Sequence, residues 1–368
     1  MTDEPGLTFF TRDFHDNLRS RTHHADSREW TEGRRRRFGY ITMIAAWYDS
    51  QGEARDVLRF GDMPTPDPGP GEVRVRLSLS SVNPGDTKKR RGWLGSTMPY
   101  PRVVPHSDGA GYIDAVGEGI ERTRVGEHVW VFGAQSYRAL GTAAQFTVVP
   151  AWQAIGLPDS VEPELAACLG IPGITAHRAV FGDGAVAGKT VVVHGVLGGV
   201  GSLAAQLARW NGARVIGTVR TEADAGLARA HGTDNVVVLS DDEAVTHVRE
   251  LAGGGVDRIV EVSFSDNINF DAAIAKNGTV IAAYGTREGH PKLPFWPMLF
   301  DNITVRLLGS DDFSQEAKSA AAVDLTEAAS IGALSIAVGD AMPLDRVADA
   351  HDRVDAGTRT RVLLQIPE

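Results

Sequence analysis

Cysteine is nearly absent from this 368-residue chain, which contains Cys168 alone. One cysteine excludes an internal disulfide and any cysteine-rich metal cluster, and it is typical of a reducing compartment such as the cytoplasm. The chain also lacks an apolar run of about 18 residues and a signal-type hydrophobic segment, so we expect neither a membrane span nor secretion. Positive charge is not in surplus either, because the net charge is −10, and this argues against a general nucleic-acid binder.

Residues 1–42 differ in composition from the rest of the chain. They hold eight arginines, no lysine and few aliphatic side chains, with four arginines in a row at 34–37. Seven acidic residues are spread through the segment, unlike a targeting peptide. We interpret it as a disordered or non-native extension, and the alternative is a basic tail that contacts polyanions. The remaining length suits two domains.

A glycine-rich turn between a strand and a helix is the most informative feature of the sequence. Residues 191–194 form an apolar strand pattern, and apolar residues at helical spacing follow from Val200. Glycines between them allow positive φ and let backbone N–H groups approach phosphate oxygens, while the helix dipole favours negative charge. We therefore predict a dinucleotide pyrophosphate site at Gly195, Leu197, Gly198, Gly199, Val200 and Gly201.

The segments that follow this turn alternate between strand and helix patterns. Residues 214–219 form a second apolar strand and residues 222–231 a helix. Further strands are predicted near 235–239, 258–262, 279–283 and 305–308. This alternation predicts an α/β fold with a doubly wound parallel sheet, that is, a Rossmann fold.

The end of the second strand indicates which nucleotide is bound. An acidic residue there binds the ribose of NAD, whereas a basic one accommodates a 2′-phosphate. This chain has Thr218 and Arg220, with no carboxylate before Glu222, so we predict NADPH rather than NADH. Asp224 would repel a 2′-phosphate unless it points away, and the alternative for Arg220 is a solvated surface side chain.

The segment from Met43 to Cys168 has short strand patterns broken by turns. Its motifs are Pro-Gly-Pro-Gly-Glu-Val at 68–73, Val-Asn-Pro-Gly-Asp at 82–86, Asp-Gly-Ala-Gly at 108–111 and Val-Gly-Glu-His-Val at 125–129. With the glycine turn, these motifs resemble the medium-chain dehydrogenase/reductase superfamily, and within it the zinc-free NADPH:quinone oxidoreductases related to zeta-crystallin. The resemblance implies a GroES-like β-barrel domain at 43–168, completed by 312–368, and a Rossmann domain at 169–311.

The resemblance also allows zinc to be tested by position. In the zinc alcohol dehydrogenases of this superfamily, zinc ligands stand where this chain has Asn83, Ser107 and Ile171. None of these supplies the expected ligand, so we predict no metal. Direct hydride transfer from NADPH to an electron-poor acceptor such as a quinone then needs orientation and electrostatics rather than a Lewis acid.

Two residues are predicted as catalytic. The resemblance implies that Asn83 lies beside the nicotinamide, although an Asx turn before Pro84 would use the same residue. Lys88 replaces a frequent tyrosine of the family; it is expected to bind a cofactor phosphate or stabilise charge on the acceptor oxygen. The alternative for Lys88 is a solvated basic stretch at 88–91.

Other expectations concern the remaining cofactor contacts and the partners. Further cofactor contacts are predicted at Thr175, Ser263, Tyr284 and Gly285. The aromatic cluster at 295–300 favours a homodimer interface, with a wall of the substrate cleft as the alternative. The expected substrate is a small-molecule quinone or enone. Two alternative functions remain: NADPH-dependent reduction of activated C=C bonds, or an NADPH-binding sensor or structural protein with little turnover.

Overall fold

The computed structural model describes residues 42–368, and the N-terminal extension predicted for residues 1–42 lies outside them except for Thr42. The first strand, β1, begins at that residue. The strands are β1 (Thr42–Trp47), β2 (Arg59–Pro64), β3 (Glu72–Val82), β4 (Asp108–Val116), β5 (His128–Val131), β6 (Phe146–Pro150), β7 (Ala154–Gly156), β8 (Thr190–His194), β9 (Arg214–Val219), β10 (Asn235–Val238), β11 (Val256–Glu261), β12 (Ala275–Ala283), β13 (Thr304–Leu307), β14 (Met342–Pro343) and β15 (Val362–Gln365).

The helices lie mostly in the second half of the chain. They are α1 (Ala54–Val57), α2 (Pro84–Arg91), α3 (Pro163–Ala166), α4 (Ile174–Phe181), α5 (Gly199–Trp210), α6 (Glu222–Ala230), α7 (Ala244–Ala252), α8 (Phe264–Ile274), α9 (Phe295–Phe300), α10 (Gln315–Ser330) and α11 (Val347–Asp355). A π-helical turn, Leu169–Gly173, leads directly into α4. No helix within residues 42–368 combines the length and the apolar composition needed to cross a bilayer.

Six parallel strands form the sheet that follows the glycine turn. Their order is β10-β9-β8-β11-β12-β13, so the strand order reverses between β8 and β11. The strand β8 is fully buried and apolar at residues 191–193, as expected when helices cover both faces of a parallel sheet. The helix α5 buries Leu203, Ala204, Leu207 and Ala208, which is the predicted apolar stripe. The predicted α/β fold with a doubly wound sheet is confirmed.

A second sheet is built mainly from the first half of the chain. Its order is β14-β15-β3-β4-β5-β7, and β6 pairs with β3. Pairing is antiparallel except between β14 and β15. The strand β15 returns from the end of the chain to lie beside β3. One hydrophobic cluster runs from Trp130 and Phe132 of this region to Val191 and Leu203 beside the parallel sheet, so the two sheets share a core.

Candidate functional site

The glycine turn joins β8 to α5 at the point where the strand order reverses. Gly195 has a φ of +61°, and α5 begins at Gly199. A Cβ atom on Gly201 would lie 2.3 Å from the carbonyl oxygen of Gly195, so only glycine lets the helix approach the turn this closely. The predicted turn between strand and helix is confirmed. Its helix N-terminus lies in the crevice where open α/β sheets bind ligands.

Arg361, which immediately precedes β15, lies against this helix N-terminus. A Cβ atom on Gly199 would be 3.3 Å from both Cδ and Nη1 of Arg361. The Nε atom of Arg361 is buried and has no hydrogen-bond partner within residues 42–368. A guanidinium beside the positive end of a helix is unfavourable unless an anion lies between them. The glycine cradle, the unpartnered nitrogen and the two positive charges therefore fit the pyrophosphate of a dinucleotide.

Asn83 is held in one orientation by three neighbours. It follows β3 directly and is 3% exposed. Its Nδ2 donates to Oδ2 of Asp108 at 2.7 Å, and its Oδ1 accepts from Nη2 of Arg361 at 2.6 Å. Its backbone N–H donates to the Asp86 carboxylate at 2.7 Å. The predicted catalytic amide is thereby connected to the arginine that faces the glycine turn.

A pair of buried carboxyl groups lies behind this amide. Burial, together with the nearby Asp86, raises the pKa of Asp108 to about 7. Burial also raises the pKa of Asp86 to about 6. The backbone N–H of Ile171 donates to Asp108 at 2.8 Å. A Cβ atom on Gly170 would lie 2.0 Å from Oδ1 of Asp108, so the π-helical turn needs glycine to accommodate this acid.

The end of β9 carries the residues predicted to select the nucleotide. Arg220 is exposed, whereas the buried Thr218 hydroxyl lies 2.8 Å from Nδ1 of His194. Asp224 is buried in the first turn of α6 and forms an ion pair with Arg359. The Asp224 carboxylate also accepts from the Thr221 hydroxyl at 2.9 Å. Asp224 is therefore neutralised by a cation that comes from the far end of the chain.

Three of the other predicted cofactor residues lie at the carboxyl edge of the parallel sheet, and Thr175 lies on α4. Ser263 follows β11, and Tyr284 and Gly285 follow β12. The Thr175 hydroxyl donates to the carbonyl of Ile171 at 2.6 Å. Ile171 in turn donates its backbone N–H to Asp108, which also binds Asn83. Ser263, Tyr284 and Gly285 thus follow the carboxyl ends of strands in the same sheet whose strand β8 leads into the glycine turn, and their contact with a cofactor stays a prediction.

Lys88 lies on α2, directly after the loop of Asn83. Its ammonium is 4.7 Å from the ring centroid of Trp93, a cation–π contact, and the Trp93 side chain is itself half exposed. The neighbouring Lys89 forms an ion pair of 3.0 Å with Asp311. Lys88 is thus near the site without joining the hydrogen bonds of Asn83.

A small cavity near the buried acids was not predicted from the sequence. About 10 Å³ of it is open to the centre of a water molecule, which is room for roughly one water. Apolar and polar residues from several segments line it: Phe132, Gly133, Ser136, Ile171, Ile174, Ser310 and Lys318. Ile171 connects it to the buried acids, because its backbone N–H bonds to Asp108. Asn83 does not line the cavity and is connected to it only through Asp108 and Ile171.

A cluster of ionisable groups is buried beneath the glycine turn. Nε2 of His194 lies 2.8 Å from Asp271 and 3.4 Å from Glu261. Burial raises the pKa of Glu261 to about 7. Burial alone would lower the pKa of His194, but Asp271 and Glu261 outweigh it and raise that pKa. The ion pair links β8 to α8 where the strand order reverses.

Asn83, Ser107 and Ile171 occupy the positions that correspond to the zinc ligands of the zinc alcohol dehydrogenases. Asn83 already binds Asp108 and Arg361, and the aliphatic side chain of Ile171 offers no donor atom. The absence of a catalytic metal stays a prediction.

The sequence did not single out Arg361, Arg359 or Asp108. The structure places them against Gly199, Asp224 and Asn83, respectively. Asp108 lay within a motif that was recognised, but its burial against Gly170 has no local signal. The two arginines reach the crevice from a segment more than 130 residues distant in sequence, and no periodicity relates them to it.

Comparisons with known proteins agree with this architecture. Residues 69–159 match the family model described as alcohol dehydrogenase GroES-like domain, and residues 199–326 match the one described as zinc-binding dehydrogenase. Quinone oxidoreductase from Homo sapiens is 31% identical over 285 residues, which cover 75% of this chain and 83% of that protein.

Solved structures with a similar fold are also oxidoreductases or nicotinamide-cofactor complexes by their descriptions. A mycobacterial protein complexed with NADPH is 29% identical, with a TM-score of 0.74, and the match covers 88% of this chain and 99% of the other. An NAD-dependent alcohol dehydrogenase is 27% identical, with a TM-score of 0.79, and the match covers 88% and 100%. The chain therefore belongs to the medium-chain dehydrogenase/reductase superfamily, where it groups with the quinone oxidoreductases, and is an oxidoreductase that uses a nicotinamide cofactor and a small-molecule substrate.

Proposed function

We propose that the protein reduces quinones with NADPH by direct hydride transfer, without a metal or a flavin. The observation that carries the proposal is the position of Arg361, between the N-terminus of α5 and the buried amide of Asn83. This arrangement offers one site for a cofactor's pyrophosphate and, beside it, one for its reactive ring. The human relative named quinone oxidoreductase supports the choice of acceptor.

The cofactor site uses the residues that border the crevice. The backbone N–H groups at the start of α5 and the Arg361 guanidinium bind the pyrophosphate. The remaining contacts are assigned to the predicted residues, namely Thr175, Gly195, Leu197, Gly198, Gly199, Val200, Gly201, Thr218, Arg220, Ser263, Tyr284 and Gly285. The domain that supplies most of them is assigned to residues 169–311, and residues 43–168 with 312–368 form the domain that covers the nicotinamide.

Two arginines favour NADPH over NADH. Arg220 follows β9, where the adenosine ribose of a bound dinucleotide lies in this fold. Arg359 neutralises Asp224, the acid that would otherwise repel a 2′-phosphate. A 2′-phosphate at this position would interact favourably with two guanidinium groups, those of Arg220 and Arg359, and with the N-terminus of α6.

When bound, the cofactor supplies a hydride to the acceptor. Asn83 orients the nicotinamide, because both ends of its amide are fixed by Asp108 and Arg361. Burial raises the pKa of Asp108 to about 7 and that of Asp86 to about 6, so near neutral pH these two acids carry less negative charge than exposed carboxyl groups would. Lys88 lies on the helix that follows Asn83. It is assigned the role of binding a cofactor phosphate or of stabilising negative charge on the acceptor oxygen.

The aromatic helix α9 supports a homodimer. Trp296 is 64% exposed and Phe300 is 71% exposed, and α9 immediately precedes β13, an edge strand of the parallel sheet. An apolar surface next to an open strand edge is unfavourable in water and is covered when a second copy packs against it. The single buried cysteine supports a reducing compartment, for which the cytoplasm is the proposed location.

The test is a cofactor oxidation assay with the full chain. The absorbance of NADPH, and separately of NADH, is followed after addition of 1,4-benzoquinone, a naphthoquinone or a 2-enone. We expect NADPH oxidation with the quinones, and slower oxidation of NADH. Oxidation with the enone alone would move the activity to C=C reduction, and tight NADPH binding without turnover would favour a sensor.

A further inference from the structure

Three ionisable side chains meet at the carboxyl ends of two parallel strands, below the glycine turn. His194 ends β8, Glu261 ends β11 and Asp271 lies on α8, and each of the three is fully buried. Nε2 of His194 lies 2.8 Å from Oδ1 of Asp271 and 3.4 Å from Oε2 of Glu261. Histidine nitrogen and carboxylate oxygen both bind divalent transition-metal ions, so the three side chains form a possible ligand set.

One carboxylate oxygen of this cluster has no partner. Oδ1 of Asp271 is bonded to His194, whereas its Oδ2 is buried and has no hydrogen-bond partner within residues 42–368. A buried acceptor that is left unbound is costly, and more so when it belongs to an ionised group. Protonation of Glu261 would supply no donor to this oxygen, but a cation held by the Asp271 carboxylate would bind it.

The cluster also has an excess of negative charge when both acids are ionised. Two negative charges then accompany a neutral His194, and one remains if the histidine is protonated. Among the described residues, His194 is the only ion-pair partner of Glu261 and of Asp271. One divalent ion bound by a neutral histidine and two carboxylates has a net charge of zero, which removes the penalty for burying unpaired charge.

The spacing of the side chains suits a single ion. Zinc binds nitrogen and oxygen at about 2.0–2.2 Å, so neighbouring ligand atoms lie about 2.9–3.5 Å from each other. The separations of 2.8 and 3.4 Å measured from His194 are close to this range. One ligand atom from each of the three residues lies within 4.8 Å of the other two. Small movements of these side chains therefore admit an ion, and the second oxygen of Asp271 is available as a fourth ligand.

Hydrogen bonds from neighbouring residues orient the ligand atoms. Nδ1 of His194 lies 2.8 Å from the Thr218 hydroxyl, so a ring that carries its proton on Nδ1 donates there and leaves Nε2 free to bind a metal. The side-chain amide of Asn267 donates to both carboxylate oxygens of Glu261 at 3.1 Å. Metal-binding histidines and carboxylates are typically supported by hydrogen bonds of this kind.

We propose that His194, Glu261 and Asp271 bind one structural divalent transition-metal ion, for which Zn²⁺ is the probe. The site is separate from the positions that correspond to the zinc ligands of the zinc alcohol dehydrogenases. Its three side chains are all buried, as in closed structural sites, so the ion contacts no substrate. Its role is to join β8, β11 and α8 beneath the glycine turn. The inference is independent of the proposed function, because the ion takes no part in hydride transfer.

The test is the metal content of the full chain, produced in zinc-supplemented and in zinc-depleted medium without a metal-affinity step. Each sample is dialysed against a chelator of micromolar affinity, which removes loosely bound ions, and its transition metals are measured by elemental mass spectrometry. We expect about one zinc ion per chain from the supplemented medium. The thermal unfolding midpoint of that sample should be about 5 °C above the midpoint of the metal-depleted one, because the ion binds the folded state.

Two variants each remove one ligand, and a third is the control. Asp271→Asn and His194→Gln should each retain less than about one-tenth of an ion per chain, and their midpoints should no longer depend on zinc in the medium. The control is His247→Gln. The His247 ring lies 3.4 Å from the Asp241 carboxylate in an exposed pair, so its removal should leave the zinc content unchanged.

Each outcome supports or overturns the proposal. A wild type that contains no stoichiometric transition metal after growth in the supplemented medium would mean that the cluster is an ion pair only. A stoichiometric ion that persists in Asp271→Asn would place the metal elsewhere. If His194→Gln does not fold, Asp271→Asn decides, since its amide oxygen still accepts from His194. Metal content does not depend on turnover, so this proposal and quinone reduction fail separately.

Discussion

Asp108 is a buried acid whose position orients the candidate catalytic amide. Its Oδ2 accepts from both Asn83 and Ile171, and its Oδ1 has no partner within residues 42–368. An ionised carboxylate in such a place is unfavourable, and burial accordingly raises its pKa to about 7. The neutral acid keeps one oxygen as an acceptor for the amide and needs no counterion.

This pKa predicts how stability depends on pH. In the unfolded chain an aspartic acid ionises near about pH 4, whereas in the folded chain the pKa of Asp108 is about 7. The folded state therefore holds the proton more tightly, and Asp108 destabilises the fold increasingly as the pH rises from about 4 to about 7. Asp108→Asn cannot ionise, so between about pH 4 and 8 the wild type should lose on the order of 4 kcal/mol of unfolding free energy relative to the variant.

Urea unfolding at several pH values measures this difference. Asp67→Asn is the control, because the Asp67 side chain is 95% exposed and its substitution should give a curve parallel to that of the wild type. Parallel curves for Asp108→Asn and the wild type would contradict the raised pKa.

The ion pair between Arg359 and Asp224 is expected to affect the preference for NADPH over NADH. Arg359→Gln leaves Asp224 without its ion-pair partner, so NADPH binding should weaken by about 10-fold while NADH binding stays within about twofold. Asp224→Asn removes the repulsive charge and should strengthen NADPH binding severalfold. Calorimetric dissociation constants for both cofactors measure these effects.

The control for this pair is Arg122→Gln, which removes an exposed arginine from the turn between β4 and β5. Equal losses for NADPH and NADH in Arg359→Gln would mean that the ion pair serves only to hold the fold.

Site residues could be predicted from the sequence only where a local pattern carries them. Gly195 and Gly201 are required by the turn itself, and Arg220 follows directly after a recognisable strand. Arg361 contacts Gly199 only because the chain end returns across the fold. Contacts of this kind depend on tertiary packing, for which one sequence has no local signal.

Among the elements, α5 makes a very close contact with the turn that precedes it. A Cβ on Gly201 would be 2.3 Å from the Gly195 carbonyl oxygen and 2.9 Å from its carbon, and both of these are backbone atoms. The helix must move away from the turn to admit even one methyl group. Its N-terminal N–H groups would move with it.

Gly201→Ala is therefore expected to destabilise the protein by about 1–3 kcal/mol and to weaken NADPH binding by about 10-fold or more. The matched variant is Gly226→Ala, in the neighbouring helix α6, where an added Cβ meets nothing within 4 Å. That change should stabilise the fold by about 0.5–1 kcal/mol, because alanine favours the helix over glycine. Thermal unfolding midpoints measure the changes in stability, and cofactor titration measures the changes in NADPH affinity. A Gly201→Ala variant with unchanged stability and affinity would contradict the close packing.

Elements were predicted best where the sequence pattern is strong and local. The expected strand at 214–219 and the helix from residue 222 are confirmed as β9 and α6. The π-helical turn before α4 was not predicted, because Pro172 and the glycines around it indicate a loop. The buried carboxyl group of Asp108 packs against Gly170 in that turn, and the local sequence gives no sign of this contact.

For the whole molecule, the exposed aromatic helix α9 predicts the state of association. We expect a dimer in light scattering at micromolar concentrations, since burial of Trp296 and Phe300 removes large apolar surfaces from water. Trp296→Glu should place a charge in that interface and yield monomers that still bind NADPH. A monomeric wild type at these concentrations would contradict the interface.

Ile331, which lies just beyond the end of α10, provides the matched control for this substitution. Its side chain is 65% exposed, which is close to the 64% of Trp296. Ile331→Glu therefore places a charge on a comparably exposed apolar position, and it should leave the dimer intact. Dissociation of both variants would place the interface elsewhere.

The return of β15 to β3 imposes an order on folding. Arg361 and Ser81 bond across 280 residues of sequence, and the whole parallel sheet lies between them. Loop closure over so long a segment is slow in an unfolded chain, whereas a folded intervening sheet brings the two ends near each other. We therefore expect the parallel sheet to form first and the seven-stranded sheet to be completed after it. In that order of events Arg359 and Arg361 reach the glycine turn last, and a chain that has formed only the parallel sheet would have the turn and its helix without these two cations.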